Sequence, residues 1–287
     1  MMDDLLVERG GFEDLNSPSL LMCGDLSPYN VRVDRLVRTE LWKEFSKDSC
    51  GMYSFLNQYL KFDHDLSEVM DVLATKVHNL PYLKNAAISG GQCLGWLFSM
   101  PLAQSVSLPH IAIYQNGKAE VQGKVDDLSN LKVVHVEDLL IEGLSSYREE
   151  NGEVRGWIPA LQGRGAAIND CLCVVSRLQG GEENLALQGI SVDSLIKVDD
   201  LFFLKHSKQP QECIDYLCNP EEWTRNYLKE EGVSVLVDYF DPVGDRLRYA
   251  KNFLNRHFDF LKEMGLDESL NREVNDKYGY SIVKLGV

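Results

Sequence analysis

The stretch VVHVEDLLIEGLSSY (133–147) sets two acids, Glu137 and Asp138, after four residues of strand type and follows them with Gly143, Ser145 and Ser146. Adjacent carboxylates are good acceptors for the vicinal hydroxyls of a sugar. A turn with backbone N–H groups and serine hydroxyls in it makes a nest for an anion. A sugar phosphate is the ligand class that uses both features. The competing reading is a plain strand end. In a strict pleat neighbouring side chains point to opposite faces, and only a chain that bends after Val136 turns both acids toward one crevice.

Composition limits what else the chain can be. With 287 residues, 44% of them hydrophobic, it can bury a substantial core, and one large domain with an appendage is expected. The net charge of −15 repels phosphate backbones and anionic lipids, which argues against nucleic acid and membrane surfaces as partners. The N-terminal MMDDLLVERGG carries acids where a signal peptide carries bases, and no apolar run nears the roughly 18 residues of a membrane span, so the cytoplasm is the expected location. Seven cysteines without a C-x-x-C pair suit reduced thiols, and no metal site is expected. His135, midway along an apolar strand, reads as a satisfied core or interface residue in preference to a metal ligand.

The elements that position the acids are strands and helices in alternation. KNAAISGG (84–91), LPHIAIYQ (108–115), LKVVHVED (131–138), INDCLCVVSR (168–177) and GISVDSLI (189–196) are short apolar runs of the kind buried on both faces of a parallel sheet. GQCLGWLFSMPLAQSVS (91–107) and GWIPALQG (156–163) have helical spacing. In an open parallel sheet ligands bind beyond the carboxyl ends of the strands, where ISGGQ, VEDLLIEGLSS and VVSRLQGG fall.

From about residue 207 the pattern becomes helical. Asn219-Pro220 followed by Glu221 and Glu222 is a helix start. The stretch from Asp245 to Met264 reads as an amphipathic helix with Leu247, Ala250, Leu254, His257, Phe258 and Leu261 on one stripe and Gly265 as its stop. A cap packed on the sheet domain or on a second subunit, or a docking site for another protein, are the two roles open to it.

The acid pair and its turn resemble the phosphoribosyl-pyrophosphate motif of type I phosphoribosyltransferases: four apolar residues, two acids, two variable residues, then Thr-Thr-Gly-Gly-Ser or a close variant. Other stretches agree in order. LMCGDLSPYNVRVD (21–34) is similar to the base-binding hairpin of orotate phosphoribosyltransferases, ISGGQCLGWLFSMPLA (88–103) to their pyrophosphate loop and helix, and CVVSRLQGGEENLALQGISVDSLIKVDDL (173–201) to their late strands. The resemblance spans about residues 15–205. It implies an α/β phosphoribosyltransferase-type parallel sheet flanked by helices, with a small N-terminal β hood, in residues 1–206; the helical C-terminal extension over 207–287, read from its own helix signals, lies outside the resemblance. It further implies a homodimer that transfers ribose 5-phosphate from phosphoribosyl pyrophosphate to a pyrimidine base, orotate in the family, with magnesium. Glu137 and Asp138 would hold the ribose hydroxyls, Gly143, Ser145 and Ser146 the 5′-phosphate, and Ser89, Gly90, Gly91 and Gln92 the pyrophosphate. Ser27, Tyr29 and Arg177 would border the base. For Arg177 a surface ion pair near a turn is the other reading.

The chain departs from that pattern where chemistry is done. Ile141 and Glu142 stand at the two Thr positions and Leu144 at the second Gly. A phosphate dianion roughly 5 Å from a carboxylate, at an effective dielectric of about 20, is repelled by several kcal/mol, more than one charged hydrogen bond returns. Gln115 and Asn116 replace the Arg-Lys pair of the catalytic loop, leaving Lys118 and Lys124 as candidate catalytic cations, and Met22 replaces the hairpin Lys. YREENGEV (147–154) is inserted between the phosphate turn and its helix. The expectation is a degenerate relative that binds phosphoribosyl pyrophosphate or a nucleoside monophosphate and acts in binding or regulation. An active transferase with altered base specificity and a non-binding scaffold are the alternatives.

Overall fold

In the computed structural model, residues 2–59, 62–123, 127–150, 152–244 and 246–285 are described. The chain opens with helix α1 (Met2–Glu8) and the antiparallel hairpin of β1 (Phe12–Leu20) and β2 (Leu26–Val31). Helices α2 (Trp42–Phe45), α3 (Ser49–Tyr59) and α4 (His64–His78) follow, and Asp63 caps the last by accepting from the Leu66 N–H. Then come β3 (Ala86–Gly91), α5 (Leu94–Ser105), β4 (His110–Ile113), β5 (Ala119–Gln122), β6 (Lys132–Leu140), the small hairpin of β7 (Arg148–Glu150) and β8 (Glu153–Arg155), α6 (Trp157–Gln162), β9 (Ala167–Ser176), α7 (Gly181–Ala186) and β10 (Ser191–Lys197). The chain finishes with α8 (Asp200–His206), α9 (Pro210–Cys218), α10 (Pro220–Glu231), α11 (Leu247–Glu263) and α12 (Leu266–Tyr278).

Six strands form one sheet in the order β10-β9-β6-β3-β4-β5, parallel throughout except for β5, which returns antiparallel along β4. The five apolar runs are the five parallel strands. The central ones are buried on both faces, as a parallel sheet between helix layers requires. Helices α5 and α6 lie on opposite faces. A Cβ on Gly90 would collide with Ser99 of α5, and one on Gly91 would come within 2.5 Å of the Trp157 indole of α6. The absence of side chains at these two positions lets both helices close on the carboxyl end of β3.

The chain divides into two compact units. One comprises the chain up to Gly11 with Arg32–Val198, which is the sheet and its helices; the other comprises Phe12–Val31 with Asp199–Val287. The β1–β2 hairpin thus groups with the C-terminal helices, in contrast to the expected grouping of a hood within 1–206. Its apolar side explains why: Leu20 and Leu26 enter one core with Leu228, Leu236, Phe240, Phe253 and Leu254. Thr224 of α10 donates to the Leu26 carbonyl and accepts from its N–H, continuing the strand's hydrogen bonding with a side chain. The helix signals read from the sequence are realised here. Asn219 and Glu222 cap α10 reciprocally, and α11 buries Ala250, Leu254, His257 and Leu261 before Gly265 turns at φ +66°. Asp245 lies outside the described residues, and α11 begins at Leu247. Among the described residues no helix is long and apolar enough to cross a membrane.

Candidate functional site

The carboxyl end of the sheet gathers the loop after β3, the turn after β6 and the exit of β9. The acid pair sits there, but the chain does not bend after Val136. Strand β6 runs on to Leu140 and stays paired with β9 as far as Leu140 opposite Ser176. Glu137 and Asp138 therefore keep the alternation of a pleat and face opposite sides of the sheet. This corrects the picture of two carboxylates meeting one sugar.

Glu137 points inward on the α6 side and is 4% exposed. Its Oε1 accepts from the Ser146 hydroxyl, itself buried, and lies 3.6 Å from His135 Nε2. The other ring nitrogen of His135, Nδ1, is 3.0 Å from Ser89 Oγ. His135 is thus a core histidine with a partner, as its place on an apolar strand implies. Ser89, His135 and Glu137 are the residue types of a nucleophilic triad, but Ser89 is fully buried and not open to a substrate. Two residues expected to touch different parts of a ligand, Glu137 and Ser146, here hold each other.

Asp138 lies on the α5 side and reaches the surface in part. Burial of its carboxylate, then the neighbouring charge of Glu137, pushes its pKa up to about 7. Cys93, which begins α5, is shifted upward in turn, first by burial and then by Asp138. The α5 side of the acid pair therefore presents one carboxyl group, which titrates near neutrality. On the same helix face His110 is fully buried against Ser99, 2.9 Å from Nε2 to Oγ, and burial followed by the proximity of His135 lowers its pKa to about 3.

The turn after β6 is a tight knot. Gly143 adopts φ +76°, and its carbonyl accepts from the N–H groups of Ser146 and Tyr147. The Glu142 carbonyl accepts from the Asn184 side chain at 2.8 Å, and Leu144 is exposed. The inserted residues form the β7–β8 hairpin, closed at its base by Arg148 opposite Arg155. At Gly156, φ +126°, a Cβ would come within 2.5 Å of the Ser146 carbonyl. The hairpin closes on itself, so α6 still starts beside the turn. Its first N–H groups, on Trp157 and Ile158, are spent on the carbonyls of Ser145 and Ser146. The insertion is expected from sequence to separate turn from helix; the two remain adjacent, with carbonyls where an anion would sit.

In the loop after β3 both ends of the Gln92 amide are engaged, Nε2 donating to the Ser46 carbonyl at 2.9 Å and Oε1 accepting from the Gln115 N–H at 3.2 Å. Ser89, Gly90 and Gly91 are strand residues, all buried. Lys118 sits in the β4–β5 turn, exposed, 2.7 Å from Glu120 and beside the Tyr114 ring. Glu120 also accepts from the Tyr114 hydroxyl at 2.6 Å and from Ser49 at 2.8 Å, and the Lys118 hydrogen bond, followed by these two, holds its pKa at about 2. Arg164 clamps the same turn through the carbonyls of Gly117 and Ala119. Among the described residues of the segment expected to carry the catalytic loop, 114–123 form a hairpin pinned at its turn. Lys124 lies outside the described residues.

Arg177, at the exit of β9, is 1% exposed, which rules out the surface ion pair. Ser27 and Tyr29, in the other unit, are fully buried. Ser27 donates to the Tyr29 carbonyl at 2.7 Å, and the Tyr29 ring is enclosed by Phe12, Phe203 and Tyr216. The Ser89–His135–Glu137–Ser146 chain is not among the constellations expected from sequence. Its one signal there is a polar pair, His135 and Glu137, two apart on the buried face of an apolar strand.

No protein-family model matches the chain. Curated relatives do. The orotate phosphoribosyltransferase of Halobacterium salinarum is 27% identical over 159 residues, covering 51% of this chain and 79% of that protein. That of Methanopyrus kandleri is 29% identical over 153 residues, 49% of this chain and 73% of its own. Among solved structures, Leishmania donovani UMP synthase superposes with a TM-score of 0.55 at 16% identity over 76% of this chain and 41% of that one. The orotate phosphoribosyltransferase of Aeropyrum pernix gives 0.50 at 22% identity over 71% and 98%. The chain is similar in sequence to orotate phosphoribosyltransferases over about half its length and has a fold like theirs, with additional C-terminal helices.

Proposed function

We propose that this chain binds a ribose 5-phosphate ester, phosphoribosyl pyrophosphate or a nucleoside monophosphate, at the carboxyl end of its sheet, and transfers the ribosyl group to a base slowly or not at all. The observation that carries the reading is the pinned β4–β5 hairpin. Leaving pyrophosphate needs cations at the moment of bond breaking, and electrostatic preorganisation usually supplies more of an enzyme's rate enhancement than any other effect. Lys118 is committed to Glu120 at 2.7 Å, and that carboxylate is further held by Tyr114 and Ser49. Ligand binding makes a smaller demand. The turn at 143–146 must first give up bonds it makes to itself and to Glu137, so the affinity expected for a sugar ester is modest.

Magnesium does not fit the acid pair as a chelate, because Glu137 and Asp138 face opposite sides of β6. In this reading the ion arrives on the ligand's pyrophosphate. The protein is further proposed to be a homodimer, as the family resemblance implies; light scattering at micromolar concentration that returns a monomer removes that part.

The test is a thermal-shift series with phosphoribosyl pyrophosphate, orotate, orotidine monophosphate and uridine monophosphate, each with and without magnesium. A ligand selective for the native state at 100 times its Kd stabilises by about 2.7 kcal/mol, a rise of several degrees in Tm. At least one phosphate ester is expected to raise it, while orotidine monophosphate formation stays at the blank rate. A flat series overturns the binding reading in favour of a scaffold. Rapid turnover overturns the claim of slow transfer.

A further inference from the structure

The chain Ser89–His135–Glu137–Ser146 joins strand β3 to the turn after β6, and one of its links is open. Ser89 and His135 are 0% exposed, Ser146 1% and Glu137 4%, so bulk water does not satisfy any of them. Ser89 Oγ to His135 Nδ1 is 3.0 Å, a hydrogen bond, and Ser146 donates to Glu137 Oε1. His135 Nε2 makes no hydrogen bond among the described residues, and the Glu137 oxygen stands 3.6 Å away, just beyond bonding range. In the tautomer that carries its proton on Nε2 that buried N–H has no acceptor, which is costly, so an event that frees Glu137 favours closing this gap.

An anion in the turn would be such an event. The Ser146 hydroxyl has one proton to give. If it turns to an anion, the buried Glu137 carboxylate loses its donor, and the His135 ring is positioned to replace it. With Nε2–H donating to Glu137, Nδ1 becomes the better acceptor for Ser89, as hydrogen bonds in series reinforce each other.

We propose that His135 is a positioning residue that takes over Glu137 when Ser146 turns to an anion, and thereby ties the turn after β6 to strand β3. The ligand side of this rests on the reading given under Proposed function. The coupling itself does not, because Ser146→Ala frees Glu137 without any ligand.

The experiment is amide hydrogen exchange on the intact chain, followed by mass spectrometry, in wild type, Ser146→Ala, His135→Asn and the double variant. Asn keeps an amide near the Nδ1 position but is too short to reach Glu137. In Ser146→Ala, exchange over 140–147 is expected to speed up while exchange over 86–93 slows roughly twofold or more. That slowing disappears in the double variant, with 64–78 unchanged throughout as a control. A purely structural role predicts equal or faster exchange over 86–93 in Ser146→Ala, and that result overturns the proposal. If His135→Asn fails to fold, His135→Gln, which places its amide near Nε2, is expected to restore the slowing; its failure to do so also overturns the proposal. A second arm adds ribose 5-phosphate at millimolar concentration to wild type and His135→Asn. Slowing over 86–93 in wild type alone extends the coupling to ligand. No response in either, with the ligand-free arm positive, leaves the coupling standing and removes the ligand reading.

Discussion

Asp138 and His110 place opposing slopes on the stability of the sheet unit. Asp138 has a folded pKa raised to about 7, so the native state holds its proton more tightly than the unfolded chain. The stability this gives is complete below the ordinary carboxylate range, about pH 4, and is lost as pH rises toward 7. His110 has a folded pKa lowered to about 3, so the unfolded chain takes up a proton below about pH 6.5 that the native state refuses, and stability falls on acidification. Between pH 6.5 and 4 the two contributions work against each other. Asp138→Asn is therefore expected to raise Tm by several degrees at pH 8, to give little gain at pH 4, and to steepen the loss of stability between pH 6.5 and 4; calorimetry across that range checks all three. A Tm difference independent of pH would mean that Asp138 is fully solvated.

At the scale of elements, the β7–β8 insertion is tolerated because it closes on itself at Gly156. The carbonyl of Ser146 occupies the space a side chain there would need, and φ +126° is a region that L residues avoid. Gly156→Ala is expected to cost at least the roughly 1–3 kcal/mol of such backbone strain and to lower Tm by several degrees, whereas Gly152→Ala, at the hairpin tip with open space around it, costs only its own φ +78° strain. The central parallel strands were legible in sequence as short apolar runs, the edge strand β10, SVDSLIK, more weakly because it alternates exposed and half-buried residues, and α10 and α11 because their caps and stripe are local. Strand β5 was not, since AEVQ is short, half-exposed and lacks an apolar run. The orientation of the acid pair was not legible either. It depends on β6 remaining paired with β9 to Ser176, a register set some 35 residues away, and a one-residue question of direction is what a nonlocal partner decides. The fate of Ser27 and Tyr29 has the same cause, because Phe203 and Tyr216, which enclose the ring, come from the other end of the chain.

On the scale of the whole chain, the second unit is assembled from two segments, Phe12–Val31 and Asp199–Val287. The bond between them includes a buried ionisable cluster: Asp25 accepts from His257 at 2.9 Å and pairs with Arg256 at 3.2 Å. Asp25→Ala leaves the buried ring nitrogen without its acceptor, and a loss of about 1–3 kcal/mol is expected in urea unfolding, with the slope unchanged. Asp25→Asn, which keeps an acceptor oxygen, is expected to lose less. Equal losses would mean that the charge, and not the hydrogen bond, holds the segments together.

That two-segment construction sets an order of events during synthesis. The hairpin strands leave the ribosome early, with Leu20, Leu26 and Tyr29 all destined for the interior. The helices that cover them are encoded after residue 198. At ordinary elongation rates the gap amounts to roughly 10–30 s. For that interval a nascent chain carries an unshielded apolar ribbon, which makes residues 12–31 the segment where a chaperone would first take hold and where a stalled or truncated translation product would begin to aggregate.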